Sequence, residues 1–293
     1  MTNTTSQLSV PRRTTTSDMG QISPPFVVGI DLGTTNSLLA VAGLPDELRF
    51  LPPPPAAQGA QTSLGRAVPV QLLKLPQLNL DGTVAEHVLF PSVVFQAAGD
   101  GQRLVGMGAK EAKFHYTKDR SVFYSVKRDL GTDRDPYYVR AVSPDLNTPV
   151  KVTAVILRAM KEAAEAKLGR SLSDVPTIVT IPASFQSAQR RDTLRAARMA
   201  GLRVDDQGLF DEPNAALLAY MNRQRVQLRW HHEETVLVFD FGGGTCDISL
   251  INVSYAPSSF KIQLRRPAIS PYEQRGGDEI EQHIVHTALA EQI

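Results

Sequence analysis

Two stretches of this chain set the same reactive groups in the same order. VVGIDLGTTNSLLAV (27–41) and VLVFDFGGGTCDISL (236–250) each run from an apolar strand into an aspartate, Asp31 or Asp240. Each then continues through a variable residue, a glycine, a small-residue turn with threonine, and a second apolar strand. In the second stretch Gly242, Gly243 and Gly244 are consecutive, whereas a hairpin turn needs only one or two residues of positive φ. Glycine removes the Cβ and lets another group come close to the backbone. A turn of this type aims successive N–H groups into a concavity that binds anions. Phosphate fits such a nest, and an aspartate at its edge is placed to hold a hydrated Mg²⁺. Two such hairpins far apart in sequence point to two half-domains closing on one nucleotide. A pair of ordinary hairpins is the alternative; the shared strand–Asp–Gly–Thr context weighs against it.

Strands alternating with capped helices must carry these turns, which makes the fold class α/β. Order is expected from Phe26, after a Thr-, Ser- and Pro-containing tail (1–25). LPDELRFLPPPPAAQGA (44–60) begins a Pro-rich insertion of about 44–90 and must be loop, because four prolines suit neither a helix nor a central strand. VLFPSVVF (88–95) is β-like, and residues 109–131 look helical in patches, ending at Gly131. The spacing predicts helices over 153–169 and 187–201, the latter started by Ser187, and another over 209–222 begun by Pro213. VPTIVTIP (175–182) reads as a buried strand, 259–265 as another, and a final helix starts near Asp278.

The 293 residues are 42% hydrophobic and 21% charged with a net charge of +1, so general attraction to nucleic acid or membrane surfaces is not expected. The single cysteine, Cys246, excludes an internal disulfide and fits a reducing cytoplasm. The six histidines form no ligand pattern. No apolar stretch is long enough to span a bilayer.

Taken in order, the motifs resemble the 70-kDa heat-shock chaperones, whose ATPase domain has the actin-like (ribonuclease H-like) fold. GIDLGTTNS (29–37) resembles the family's first phosphate loop and FDFGGGTCDIS (239–249) its second. VTIPASFQSAQRRDTLRAARMAGL (179–202), LFDEPNAALLAY (209–220) and RGGDEIEQHI (275–284) are similar to its intervening segments. The resemblance implies a first lobe over 26–203 and part of a second over 204–293. It implies that Gly33, Thr34, Thr35 and Asn36 contact ATP/ADP phosphates from one side, and Gly242, Gly243, Gly244 and Thr245 from the other. Asp31 and Asp240 would position Mg²⁺ through water. Lys127 would orient the attacking water, with Glu212, Asp247 and Thr245 completing the catalytic set. Pro182 and Arg190 would relay nucleotide state to a partner domain. On residue type alone, Lys127 reads as a solvated surface lysine, Glu212 as a helix-start acid, and Arg190 and Arg191 as an exposed basic face.

Three departures mark a divergent branch: Ser184 for an aromatic residue, Asn214 for threonine and Cys246 for phenylalanine. The chain reaches Ile293 before the family's adenosine pocket and peptide-binding domain. Weak or absent ATPase turnover is therefore expected unless those parts are supplied. The resemblance implies a J-domain co-chaperone, a nucleotide-exchange factor and unfolded clients as partners, the last only with a peptide-binding domain present. A nucleotide-sensing module without useful hydrolysis and an actin-fold small-molecule kinase are the competing functions.

Overall fold

A computed structural model describes residues 26–43, 70–97, 102–115, 122–132, 138, 143–224, 233–256, 261–273 and 275–289. The expected N-terminal tail and the proline run fall outside the described residues. The first strand, β1 (Val27–Asp31), turns back into β2 (Asn36–Ala42), and the two pair antiparallel with Asp31 opposite Leu38. Every second residue of β2 is buried, the period-2 signature of a sheet with one face in the core. β3 (Val70–Leu72) extends this sheet beyond β2.

The later part of the insertion is ordered. β4 (Leu75–Leu78) and β5 (Val84–His87) form a hairpin, β6 (Phe90–Pro91) pairs with the start of β2, and β7 (Val94–Gln96) pairs with β8 (Arg103–Val105). Among the described residues of 109–131, an α-helix covers 109–115, and 122–123 are strand. The first helix, α1 (Met107–His115), is followed by β9 (Val122–Phe123) on β7, then a 3₁₀ turn over Val126–Asp129. Val122 and Phe123 are a β-branched and an aromatic residue, and both gain more on the pleated surface than on a helix.

α2 (Pro149–Leu168) starts four residues before the predicted helix, because Thr148 caps Lys151 N–H at 3.2 Å and Pro149 occupies the first helical position. It ends at Gly169, whose φ of 63° is the left-handed stop that glycine takes at little cost. β10 (Thr177–Ile181) lies parallel to β1, and α3 (Ser187–Met199) leads to β11 (Leu209–Asp211), parallel to β10. Ser187 is already inside α3. Gln186 is the cap residue, and its N–H donates to the Gln189 side chain at 2.9 Å. The first sheet therefore runs β11-β10-β1-β2-β3 with β6 beside β2. Val28, Ile30, Leu39, Val179 and Ile181 bury with Ile156, Leu157 and Met160 of α2 in its core.

Pro213 stands second in α4 (Glu212–Gln224), which begins directly at the end of β11. The second sheet has three antiparallel strands, β12 (Glu234–Phe241), β13 (Cys246–Ala256) and β14 (Lys261–Ile269), in that order. Its inner face packs Ile251 and Val253, with Val236, Val238 and Leu264, against Leu217 and Met221 of α4. Its outer face carries Leu237, Phe239 and Phe241, each about half exposed or more. α5 (Gly277–Ile284) closes the described chain together with a wider turn over Val285–Leu289. Among the described residues, no helix is long and apolar enough to cross a membrane.

Candidate functional site

The two Asp–Gly–Thr turns meet. A Cβ built on Gly243 would overlap Oγ1 of Thr35, and one on Gly244 would overlap Cγ2 of Thr34. The glycines thus make room, as their spacing predicts, and the opposite turn's threonines already occupy part of that room. Thr34 and Thr245 are buried, whereas Thr35 is exposed at the rim.

Each turn is fixed from behind. Ser92 donates from its backbone N–H to the carbonyl of Thr35 at 2.9 Å and from Oγ to that of Gly33 at 2.8 Å. The Gly33 position is itself tight, since a Cβ there would run into the Asn36 carbonyl. In the second turn Gly242 N–H donates to the Thr245 carbonyl at 2.9 Å. The start of α5 then captures the remaining carbonyls: Gly277 N–H donates to Gly242 at 3.1 Å and Asp278 N–H to Gly243 at 2.7 Å. A Cβ on Gly276 would lie 2.7 Å from the Gly242 carbonyl oxygen, so the first glycine of the Gly-Gly pair is a packing requirement, whereas one on Gly277 would meet only ordinary contacts.

Lys127 sits beneath the turns and is buried, against its reading as a surface lysine. Its Nζ donates to Oε1 of Glu212 at 2.7 Å and lies 5.8 Å from the centre of the Phe185 ring. The turn that carries it begins at Ser125, a non-glycine residue with φ of 53°, whose Oγ donates to Oδ2 of Asp278 at 3.0 Å. Arg128 pairs with Glu279 at 2.7 Å, so two bonds tie the lysine turn to the start of α5.

Acids outnumber this one lysine. Burial pushes the Glu212 carboxyl up to about 7; Lys127 opposes the rise, and Asp31 and Asp240 add to it. Burial also raises Asp240, against the pull of Lys127 and with the help of Asp247 and Asp31. These influences bring Asp31, Asp240, Asp247 and Glu212 into one electrostatic neighbourhood, which the sequence places on two hairpins and a helix start. Asp31 accepts from the Thr180 hydroxyl at 3.0 Å. Asp247 is buried and accepts from Oγ of Ser184, the residue that departs from the family pattern. An oxygen-only donor set carrying excess negative charge suits a hydrated Mg²⁺. Among the described residues no three His, Cys, Asp or Glu side chains converge closely enough to ligate an ion directly.

The remaining residues singled out by sequence lie around this centre. Asn36 is half-buried at the start of β2, opposite Pro91. Pro182 follows β10, and its carbonyl accepts from Phe185 N–H at 3.1 Å. Arg190 is drawn inward rather than solvated: it donates to the Phe185 carbonyl at 3.0 Å and to Asp211 at 2.7 Å. Arg191, by contrast, is exposed. Sequence reasoning missed Ser92, Asp211, Arg266 and Asp278. Only Asp278 carried a local signal, as the first acid after a Gly-Gly pair.

Residues 84–292 match the protein family described as Hsp70 protein. A curated relative, Chaperone protein dnaK3 of Thermosynechococcus vestitus, is 34% identical over 283 residues, which is 88% of this chain and 34% of that protein. The chain thus spans about a third of the length of this curated relative.

Proposed function

The chain belongs to the Hsp70 protein family, and on that premise we propose that it is the nucleotide-binding part of a chaperone ATPase of actin-like fold. The observation that carries this reading is the abutment of Thr34 and Thr35 on Gly243 and Gly244 above the Lys127–Glu212 pair.

Bound Mg-ATP would supply the phosphoryl group, the leaving group and a metal that neutralises developing charge. Phosphoryl transfer passes through a loose transition state, so the protein contributes chiefly placement and charge. Backbone N–H groups of residues 33–36 and 243–245 would face the phosphate oxygens from opposite sides, while the Gly242 N–H holds its own turn closed on the Thr245 carbonyl. Lys127 supplies the positive charge facing them, and Glu212 fixes its Nζ by a 2.7 Å bond. Glu212, with a pKa of about 7, can also take up a proton from an attacking water at neutral pH. Asp31 and Asp240 would hold Mg²⁺ through water, with Asp247 beside them adding negative charge. Pro182 and Arg190 connect this centre to a partner domain. A J-domain co-chaperone, a nucleotide-exchange factor and, with a peptide-binding domain, unfolded clients complete the proposed cycle.

Mg-ATP titration and turnover in the 293-residue chain and its Lys127→Ala variant test the reading. Binding in both with hydrolysis only in the parent supports it. Binding with equal hydrolysis in both removes Lys127 from the mechanism, and binding with no hydrolysis in either leaves a nucleotide-sensing module.

A further inference from the structure

One carboxylate is shared by two arginines, one on a helix beside the first sheet and one on a strand of the second. Oδ1 of Asp211 accepts from Nη2 of Arg190 at 2.7 Å, and Oδ2 accepts from Nη1 of Arg266 at 2.6 Å. Arg190 lies on α3, beside the first sheet, and Arg266 on β14 of the second. The Asp211 side chain is only 15% exposed and that of Arg266 24%. Charge-assisted bonds in this setting are stronger and less screened than those between fully solvated side chains.

Asp211 is the last residue of β11, and Glu212 follows it directly. The backbone there is held on one side by β10, where Ile181 faces Asp211. On the other side the Asp211 carboxylate reaches Arg266 of the second sheet. Two further contacts cross between the same parts of the molecule: Ser184 with Asp247 of β13, and the Phe185 ring edge-on to Tyr272 at 5.5 Å. Arg190 also donates to the Phe185 carbonyl, which joins the shared carboxylate to the residue whose ring lies near Lys127.

We infer that Arg266 and Asp211 form a positioning pair that passes the placement of the second sheet to the Glu212 carboxylate. The inference rests on the ATPase reading above and deepens it: Glu212 meets Lys127 at hydrogen-bond distance only while β14 stays seated against the β11–α4 junction. If the second sheet turns away, Asp211 keeps Arg190 alone and the peptide before Glu212 loses its outer support. A misplacement of about 1 Å at a catalytic group is enough to cost on the order of a hundred-fold in rate.

The test uses Arg266→Met and Arg266→Lys in the 293-residue chain. With saturating Mg-ATP, Arg266→Met is expected to lower kcat about ten-fold while KM changes less than about two-fold, and Arg266→Lys to recover at least part of the loss. A merely structural role would lower Tm and leave kcat per folded molecule intact; kcat of Arg266→Met within about two-fold of the parent overturns the proposal. If the parent binds but does not hydrolyse ATP, the nucleotide-sensing reading stands in place of the ATPase one, and the pair is judged from unfolding. Arg266→Met combined with Lys127→Met should then lose less Tm than the two single losses added, by about 2 °C or more. Additive losses overturn the pair.

Discussion

Thr35 and Gly243, on turns separated by most of the chain, are packed so closely that a methyl group on Gly243 would overlap the Thr35 hydroxyl. The first prediction follows from this contact. Gly243→Ala must push the two turns apart, and overpacking of this kind costs about 1–3 kcal/mol. Chemical unfolding of the variant should record that loss. Removing the obstructing side chain with Thr35→Gly in the same molecule should recover at least half of it. A single variant as stable as the parent would mean that the turns part without resistance.

Among the described residues Lys127 is the one buried cation, it stands beside several acids, and its removal takes the hydrogen bond from Glu212. Lys127→Ala should reduce ATP hydrolysis by about a hundred-fold or more, the scale of losing a preorganised charge at a reacting phosphate. On the proposed reading backbone N–H groups hold the phosphates, so nucleotide affinity should change only a few-fold. Turnover assays beside fluorescent-nucleotide titration separate the two effects.

The raised Glu212 carboxyl makes stability depend on pH in a defined window. The unfolded chain releases this proton near 4.5, while the folded protein keeps it until about 7. Between those values the folded state binds more protons, so this group's contribution to stability declines as pH rises and then levels off. Glu212→Gln cannot titrate. Over pH 5 to 7.5 the Tm of the parent should therefore fall relative to that of Glu212→Gln, with a constant difference above about pH 8. Parallel Tm profiles would show that Glu212 titrates normally.

Ser125 combines a left-handed backbone with a hydrogen bond to Asp278. Two substitutions separate the terms. Ser125→Ala keeps the strain and loses the bond, and should cost about 1 kcal/mol. Ser125→Gly also loses the bond but relieves the φ of 53°, and should lie within about 0.5 kcal/mol of the parent. Equal losses in both variants would show that the conformation stores no strain.

The hairpins, the long helices and the convergence of the two glycine-rich turns were legible in sequence because each has a local cause. Apolar alternation specifies β1 and β2, Gly169 stops α2, and repeated Asp–Gly–Thr spacing marks the turns. The 109–131 segment was harder, since its charged residues mimic a helical pattern while Val122 and Phe123 are claimed by a small sheet. The junction of β11 with the first sheet, inside the stretch first assigned to the second lobe, depends on parallel pairing across a crossover that no local pattern encodes. The resemblance singled out Arg190, but nothing in residue type or spacing marked its sharing of Asp211 with Arg266. Arg266 lies in a strand where an arginine ordinarily faces water, and its partner lies 55 residues away. Arg190 looked like part of a solvated helix face for the same reason: a charge pattern reports which residues can be wet, not which ones a distant carboxylate draws inward.

The outer row of Leu237, Phe239 and Phe241 sets a practical condition on handling the protein. These side chains alternate along β12, the border strand of its sheet, with neither charge nor proline among them. A border of that kind is a seed for intermolecular pairing. Concentrated samples should cluster through this strand first, and Phe239→Lys should keep them dispersed without disturbing the Gly–Thr turns.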